Sequence, residues 1–392
     1  MSIPLDLPEL SADEAAHSAR LAQRVREEIQ RAGGWIDFAQ FMAMALYEPG
    51  LGYYSAGAHK LGPAGDFVTA PEVAPVFSRC VAAQCAQVLA GLGGGEVLEL
   101  GAGSGAMAAE VLAELERQQC LPSRYRILDV SADLRDRQHA VLEQRVPHLV
   151  QRVEWLDRLP EAFDGVIVGN ELLDAMPVAR FVVRRREVNA LGVAWHLGQL
   201  ELAEVRAAPA LRDRVRGIEA DLGRPFPEGY LSEVNLGLDG WLASVSACLR
   251  RGLLLFIDYG LPRREFYSEE RTGGTVLCHF RHRFHDDVLQ RLGLQDITAW
   301  VDFTAVADAA QAASLEVAGY TTQAQFLIGC GIGDYVADVA DLDVVQRVNL
   351  SRQIMLLTLP GEMGERFKAI ALTRGYDAPL RGFALRDLRH TL

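Results

Sequence analysis

The run Val97-Leu-Glu-Leu-Gly-Ala-Gly-Ser-Gly105 constrains the fold of this chain more than any other segment. A short apolar strand ends in three glycines, and Met107, Val111 and Leu115 then recur at helical spacing. Glycine suits such a place because the backbone must turn sharply and approach a ligand closely. The unpaired N–H groups and positive dipole end of the following helix favour an anion there.

From Glu96 onward, short apolar runs alternate with amphipathic helical segments, the signature of βα units and a mostly parallel, Rossmann-like sheet. Val97–Leu100, Arg126–Val130, Val153–Trp155, Val166–Val168 and Leu253–Ile257 are the expected strands. Ile297–Phe303, a helix from Thr304 and Phe367–Leu372 are expected to complete the sheet. The interval before Leu253 is too long for one crossover and reads as an insertion: a hairpin (Ala179–Val188, Val193–Val205), then helices around Leu211–Leu222 and Leu236–Leu249. Upstream, Ser11 or Asp13 caps a helix that Gly33-Gly34 ends, and Asp37 opens a second helix, Phe38–Leu46. The forty residues after Pro49-Gly50 read as a structured loop. The expected organisation is residues 1–94 as N-terminal helices and a lid-like loop, 95–178 with 252–392 as the α/β core, and 179–251 as an inserted subdomain.

Two ligands suit the glycine loop: S-adenosylmethionine through its carboxylate, or a dinucleotide through its pyrophosphate, because Gly101, Gly103 and Ala106 also satisfy G-x-G-x-x-A. Glu99, two residues before the first glycine, sits where methyltransferases often place an acid to receive the donor's ammonium group. Asp129 ends the next strand at the spacing for ribose hydroxyls, which serves either ligand. Glu99, Gly101, Ala102, Gly103, Gly105, Asp129 and Val130 form the expected cofactor set, with Asn170 beside them. An NAD-dependent oxidoreductase is disfavoured, since no separate catalytic His or Tyr-Lys constellation is evident.

The formal net charge of −13 disfavours a nucleic acid acceptor, whose phosphates need a basic footprint. Cys80, Cys85, Cys120, Cys248, Cys278 and Cys330 form no C-x-x-C pair, so no disulfide framework or metal site is expected. Cys278-His-Phe-Arg-His-Arg283 reads as a basic loop clamping a carboxylate or a neighbouring segment, and Arg184-Arg185-Arg186 as a solvated hairpin face. No apolar run nears the roughly 20 residues of a membrane span, and the acidic start is unlike a targeting segment. A cytoplasmic location is the expectation; the oligomeric state, a homodimer included, stays open.

Gly65-Asp-Phe-Val-Thr-Ala-Pro-Glu72, Gly169-Asn-Glu-Leu-Leu-Asp-Ala-Met-Pro177, Ile257-Asp-Tyr-Gly260 and Asp296-Ile-Thr-Ala-Trp-Val-Asp-Phe-Thr304 together resemble the MidA-like methyltransferases, a family that includes an arginine-methylating assembly factor of mitochondrial complex I. The likeness runs from about Phe41 to Ile332. It implies a class I methyltransferase fold, S-adenosylmethionine as donor, and a protein acceptor carrying the target arginine, a complex I subunit or its homologue in the mitochondrial branch. In this family the second strand more often ends in Glu; here it ends in Asp129. A non-catalytic assembly factor on the same fold is the competing reading.

An arginine acceptor is protonated at cellular pH, and carboxylates pairing with its outer nitrogens can orient it and accept the proton. Asn170, Glu171 and Asp174 follow Val166–Val168 at the sheet edge where open α/β folds place ligands. If a helix starts near Asn170, Glu171 and Asp174, three apart, share a face and are the expected catalytic pair. Gly65, Asp66, Phe67, Thr69 and Glu72 read as a lid that lends acidic character to the acceptor channel, and Asp258 and Tyr259 as further acceptor-side residues at a strand end. No metal is required.

Overall fold

In the computed structural model, the structure describes residues 7–56, 69–129, 131–337 and 343–392. The apolar runs after Glu96 become the middle of an eight-stranded sheet. Its order is Glu316–Thr322, Phe367–Arg374, Leu249–Leu261, Phe163–Asn170, Glu96–Leu100, Tyr125–Leu128 and Val153–Leu156, with Val301–Asp302 pairing off the end of Leu249–Leu261. The five strands from Leu249–Leu261 to Val153–Leu156 run parallel. Phe367–Arg374 is antiparallel to both its neighbours. Val97, Leu98, Val166, Ile167, Val168 and Leu253–Phe256 are fully buried. Parallel strands covered on both faces need such continuous apolar runs, and this made them legible in the sequence.

Strand order reverses beside Glu96–Leu100: the chain first builds outward through Tyr125–Leu128 and Val153–Leu156, then returns to the other side with Phe163–Asn170. Open α/β sheets bind ligands at the carboxyl ends of strands beside this reversal. Those ends carry Gly101, Asp129 and Asn170.

Three expectations for this sheet need correction. Ile297–Phe303 completes it only in part: Val301–Asp302 pairs with the end of Leu249–Leu261, whereas Asp296–Thr298 pairs in a separate three-stranded sheet and Phe303 opens the helix Phe303–Ala312. The missing strand is Glu316–Thr322, whose Gly319 hid it. A Cβ there would lie 2.3 Å from the Phe383 ring, so the strand gives up a side chain to let that ring pack. The expected loop before Glu96 holds the helix Pro75–Leu92, buried on nearly every side, so its sequence shows no contrast between an apolar and a polar face.

The chain divides into two compact units, and the sheet belongs to the one formed by Val68–Leu173, Asp239–Pro262 and Val301–Leu392. The other comprises Met1–Phe67, Asp174–Leu238 and Arg263–Trp300, so that Pro75–Leu92 goes with the sheet and residues 263–300 go with the N-terminal helices rather than with the expected core. In this second unit Ser11 and Glu14 form a capping box at the start of Ala12–Arg31, and Asp37 caps Phe38–Tyr47. A five-stranded antiparallel sheet joins Trp35–Asp37, Glu187–His196, Ala179–Arg184 and Leu231–Val234, with Gln199–Arg206 beside Glu187–His196.

The expected hairpin is therefore a three-strand meander turning at Arg185-Arg186 and Leu197-Gly198. Arg185 and Arg186 hold φ of 52° and 64°, a conformation usually left to Asn or Gly, which is why no turn signal marked the place. Leu277–Phe280, Arg283–His285 and Asp296–Thr298 form the small sheet. The basic loop at its hairpin clamps a carboxylate as expected, Arg281 bonding Glu14 at 2.6 Å.

Candidate functional site

The glycine loop is fixed by conformation. Gly101, Gly103 and Gly105 have φ of 67°, 54° and 84°, the left-handed region that side chains resist. Gly101 donates its amide to Leu128 O at 3.0 Å, which ties the loop to the end of the neighbouring strand. A Cβ on Gly105 would sit 2.9 Å from Gln138 Cα. Gly105 is also the N-cap of Ala106–Arg117 and supplies no side-chain cap, so the first amides of that helix lack intrahelical partners.

Glu99 lies one strand over from Tyr125 and is 1% exposed. The Tyr125 hydroxyl donates to Glu99 Oε2 at 2.5 Å. Burial nevertheless pushes the Glu99 carboxyl up to about 7; the Asp129 charge adds to the rise, and the Tyr125 bond opposes it. Such a group takes up charge readily once a cation arrives beside it.

Asp129 ends the next strand with both oxygens occupied. Oδ1 accepts from Ser131 N at 3.0 Å and Oδ2 from Gln138 Nε2 at 2.9 Å. Gln138 Nε2 also donates to Gly103 O at 3.1 Å, and Trp155 Nε1 donates to Gln138 Oε1 at 3.0 Å. Sequence reasoning missed Tyr125, Ser131, Gln138 and Trp155. The available signal was a glutamine set between Leu134 and Leu142 on the buried face of a helix.

Asn170 closes its strand, and no helix begins there. The chain turns through a bend with Glu171 at φ 50°, so the expected sharing of a helical face by Glu171 and Asp174 does not hold. Asp258 explains the difference. Its Oδ2 accepts from Leu172 N at 3.0 Å and Leu173 N at 2.8 Å, and its Oδ1 accepts from Tyr259 N at 2.9 Å, so one buried carboxylate satisfies the amides that a helix would have left open. Asp258 thus shapes the bend, and Tyr259 packs edge-on against Phe367.

Leu172 lies over the glycines of two adjacent strands, since a Cβ on Gly101 or Gly169 would come within 3.0 or 2.9 Å of its methyl carbons. Glu171 Oε1 accepts from Asn170 Nδ2 at 3.1 Å and from Ala70 N at 3.1 Å, the first amide of the short helix Ala70–Val73 that carries Glu72 and follows Thr69. Asn170 Oδ1 is buried without a hydrogen-bond partner.

Glu99, Gly101, Ala102, Gly103, Gly105, Asp129, Asn170 and Glu171 thus gather in the sheet unit. Asp174 belongs to the other unit, where its carbonyl accepts from Ala299 N at 3.0 Å. There the Tyr54 hydroxyl donates to Asp296 Oδ2 at 3.0 Å; burial, with the charges of Asp296 and Asp174, pushes that hydroxyl well above its usual range. Gly65, Asp66, Phe67 and Val130 lie outside the described residues.

The reversal point, the glycine loop and the acids beside it define a class I methyltransferase fold with a nucleotide-type site. The sequence profile of the S-adenosyl-L-methionine-dependent methyltransferase family matches residues 80–321, more than half of the chain. The chain belongs to this MidA-like family of S-adenosyl-L-methionine-dependent methyltransferases, which decides the glycine loop against a dinucleotide. A Burkholderia thailandensis protein crystallised with S-adenosyl-homocysteine is 42% identical, with a TM-score of 0.94 over 99% of this chain and 100% of that one. The Drosophila melanogaster protein arginine methyltransferase NDUFAF7 homolog, mitochondrial, is 25% identical, covering 96% of this chain and 90% of its own. The human protein arginine methyltransferase NDUFAF7, mitochondrial, is also 25% identical, covering 87% and 81%.

Proposed function

We propose that this methyltransferase modifies an arginine of a protein acceptor, and that the residues around the glycine loop hold the donor. The acceptor rests on one observation: relatives named for protein arginine methylation align with nearly the whole chain, at 96% coverage in the fly protein. The donor-side residues suit the group they are to hold. A buried carboxyl at Glu99 suits the ammonium, the unpaired first amides of Ala106–Arg117 suit the carboxylate, Asp129 suits the ribose hydroxyls, and the unpartnered Asn170 Oδ1 offers an acceptor beside them.

When bound, the donor supplies an electrophilic methyl group on a sulfonium. The chain supplies position and charge. Glu171 is held in a conformation costing about 1–3 kcal/mol for a residue other than glycine, a feature that clusters at working sites. Its carboxylate orients the acceptor's guanidinium, draws positive charge away from the attacking nitrogen and receives the proton released on transfer.

Glu171→Gln tests the assignment, because the amide keeps an oxygen for Ala70 N and loses the charge. Methyl transfer to protein should fall by about 100-fold or more, while S-adenosylhomocysteine affinity stays within about twofold. Full activity in this variant overturns the role of Glu171.

A further inference from the structure

We propose that Gln138 is a positioning residue for donor binding, one that sets the glycine loop and the ribose-facing acid in register with each other. The inference rests on the reading that Asp129 meets the ribose. Helix Ala132–Arg145 buries Leu134, Gln138 and Leu142 along one face, and Gln138 is fully enclosed. A buried amide at a core position is costly unless every polar atom is matched.

Here each is matched, and in one orientation only. The Trp155 indole can only donate, so the atom it meets at 3.0 Å must be the amide oxygen. That choice turns Nε2 toward Gly103 O and Asp129 Oδ2, at 3.1 and 2.9 Å. One nitrogen thereby bridges the loop after Glu96–Leu100 and the acid after Tyr125–Leu128. Gly105 makes the approach feasible, since a Cβ there would press on the Gln138 backbone at 2.9 Å. The Asp129 carboxylate is thus turned and fixed before ligand arrives, which reduces the ordering cost of binding.

The test is S-adenosylhomocysteine affinity measured by calorimetry on the full chain, with Gln138→Met to keep the packing volume and remove the hydrogen bonds. Gln138→Met should weaken binding by about tenfold or more, and Gln138→Glu should weaken it further by placing a second carboxylate against Asp129. In an Asp129→Asn background, which itself binds weakly, Gln138→Met should add no more than about twofold, because both changes remove the same arrangement.

Wild-type affinity in Gln138→Met, or an equal loss with and without Asp129, overturns the inference and leaves the donor site standing. Wild-type affinity in Asp129→Asn overturns the ribose reading itself. If Gln138→Met does not fold, Trp155→Phe replaces it: freeing the amide to flip should weaken binding several-fold, and unchanged affinity there also overturns the proposal.

Discussion

The Tyr125 hydroxyl donates to the Glu99 carboxylate at 2.5 Å, yet Glu99 titrates at about 7 because the pair is sealed from water. An unfolded glutamate loses its proton near pH 4.3, so between about 4.5 and 7 the folded chain holds a proton that the unfolded chain has lost. The ligand-free protein should therefore lose stability as pH rises through that window and level off above it. Binding reverses the preference, because an ammonium beside Glu99 favours the carboxylate. S-adenosylhomocysteine affinity should rise with pH up to about 7 and flatten until the ligand's own amine begins to deprotonate. Glu99→Gln should remove the slope, and titration calorimetry across pH reads both.

Gly105→Ala should be poorly tolerated. The position needs φ of 84°, and a methyl group would meet Gln138 Cα at 2.9 Å. A stability loss of about 1–3 kcal/mol in denaturant unfolding is expected, together with weaker S-adenosylhomocysteine binding as the helix Ala132–Arg145 shifts. Affinity and stability matching the parent chain would contradict the close packing of loop and helix.

Asp258 should behave as a structural anchor. Asp258→Ala leaves three backbone amides without an acceptor and should cost about 2–4 kcal/mol by denaturant unfolding, while Asp258→Asn, with one acceptor oxygen left, should cost less. An Asp258→Ala protein of parental stability but without activity would restore this residue to the acceptor side.

The sheet and its glycine loop were legible because parallel strands buried on both faces require unbroken apolar runs such as Val166–Val168 and Leu253–Ile257, and because left-handed turns require glycine. The bend after Asn170 was not. Acids at Glu171 and Asp174 resemble a helix start, and only the fold brings Asp258, distant in sequence, to bind Leu172 N and Leu173 N and hold the chain out of a helix. Gln138 escaped notice for a similar reason: its partners Gly103, Asp129 and Trp155 come from three strand ends that only the sheet brings together. Pro75–Leu92 hid behind its own burial, since a helix covered all round loses the periodicity that announces helices.

The most direct measurement of the central claim incubates the protein with isotope-labelled S-adenosyl-L-methionine and cell extract, then locates the label by mass spectrometry. The account predicts label on an arginine side chain of a protein, lost in Glu171→Gln. Label on a nucleic acid or a small metabolite, with none on protein arginine, would contradict it.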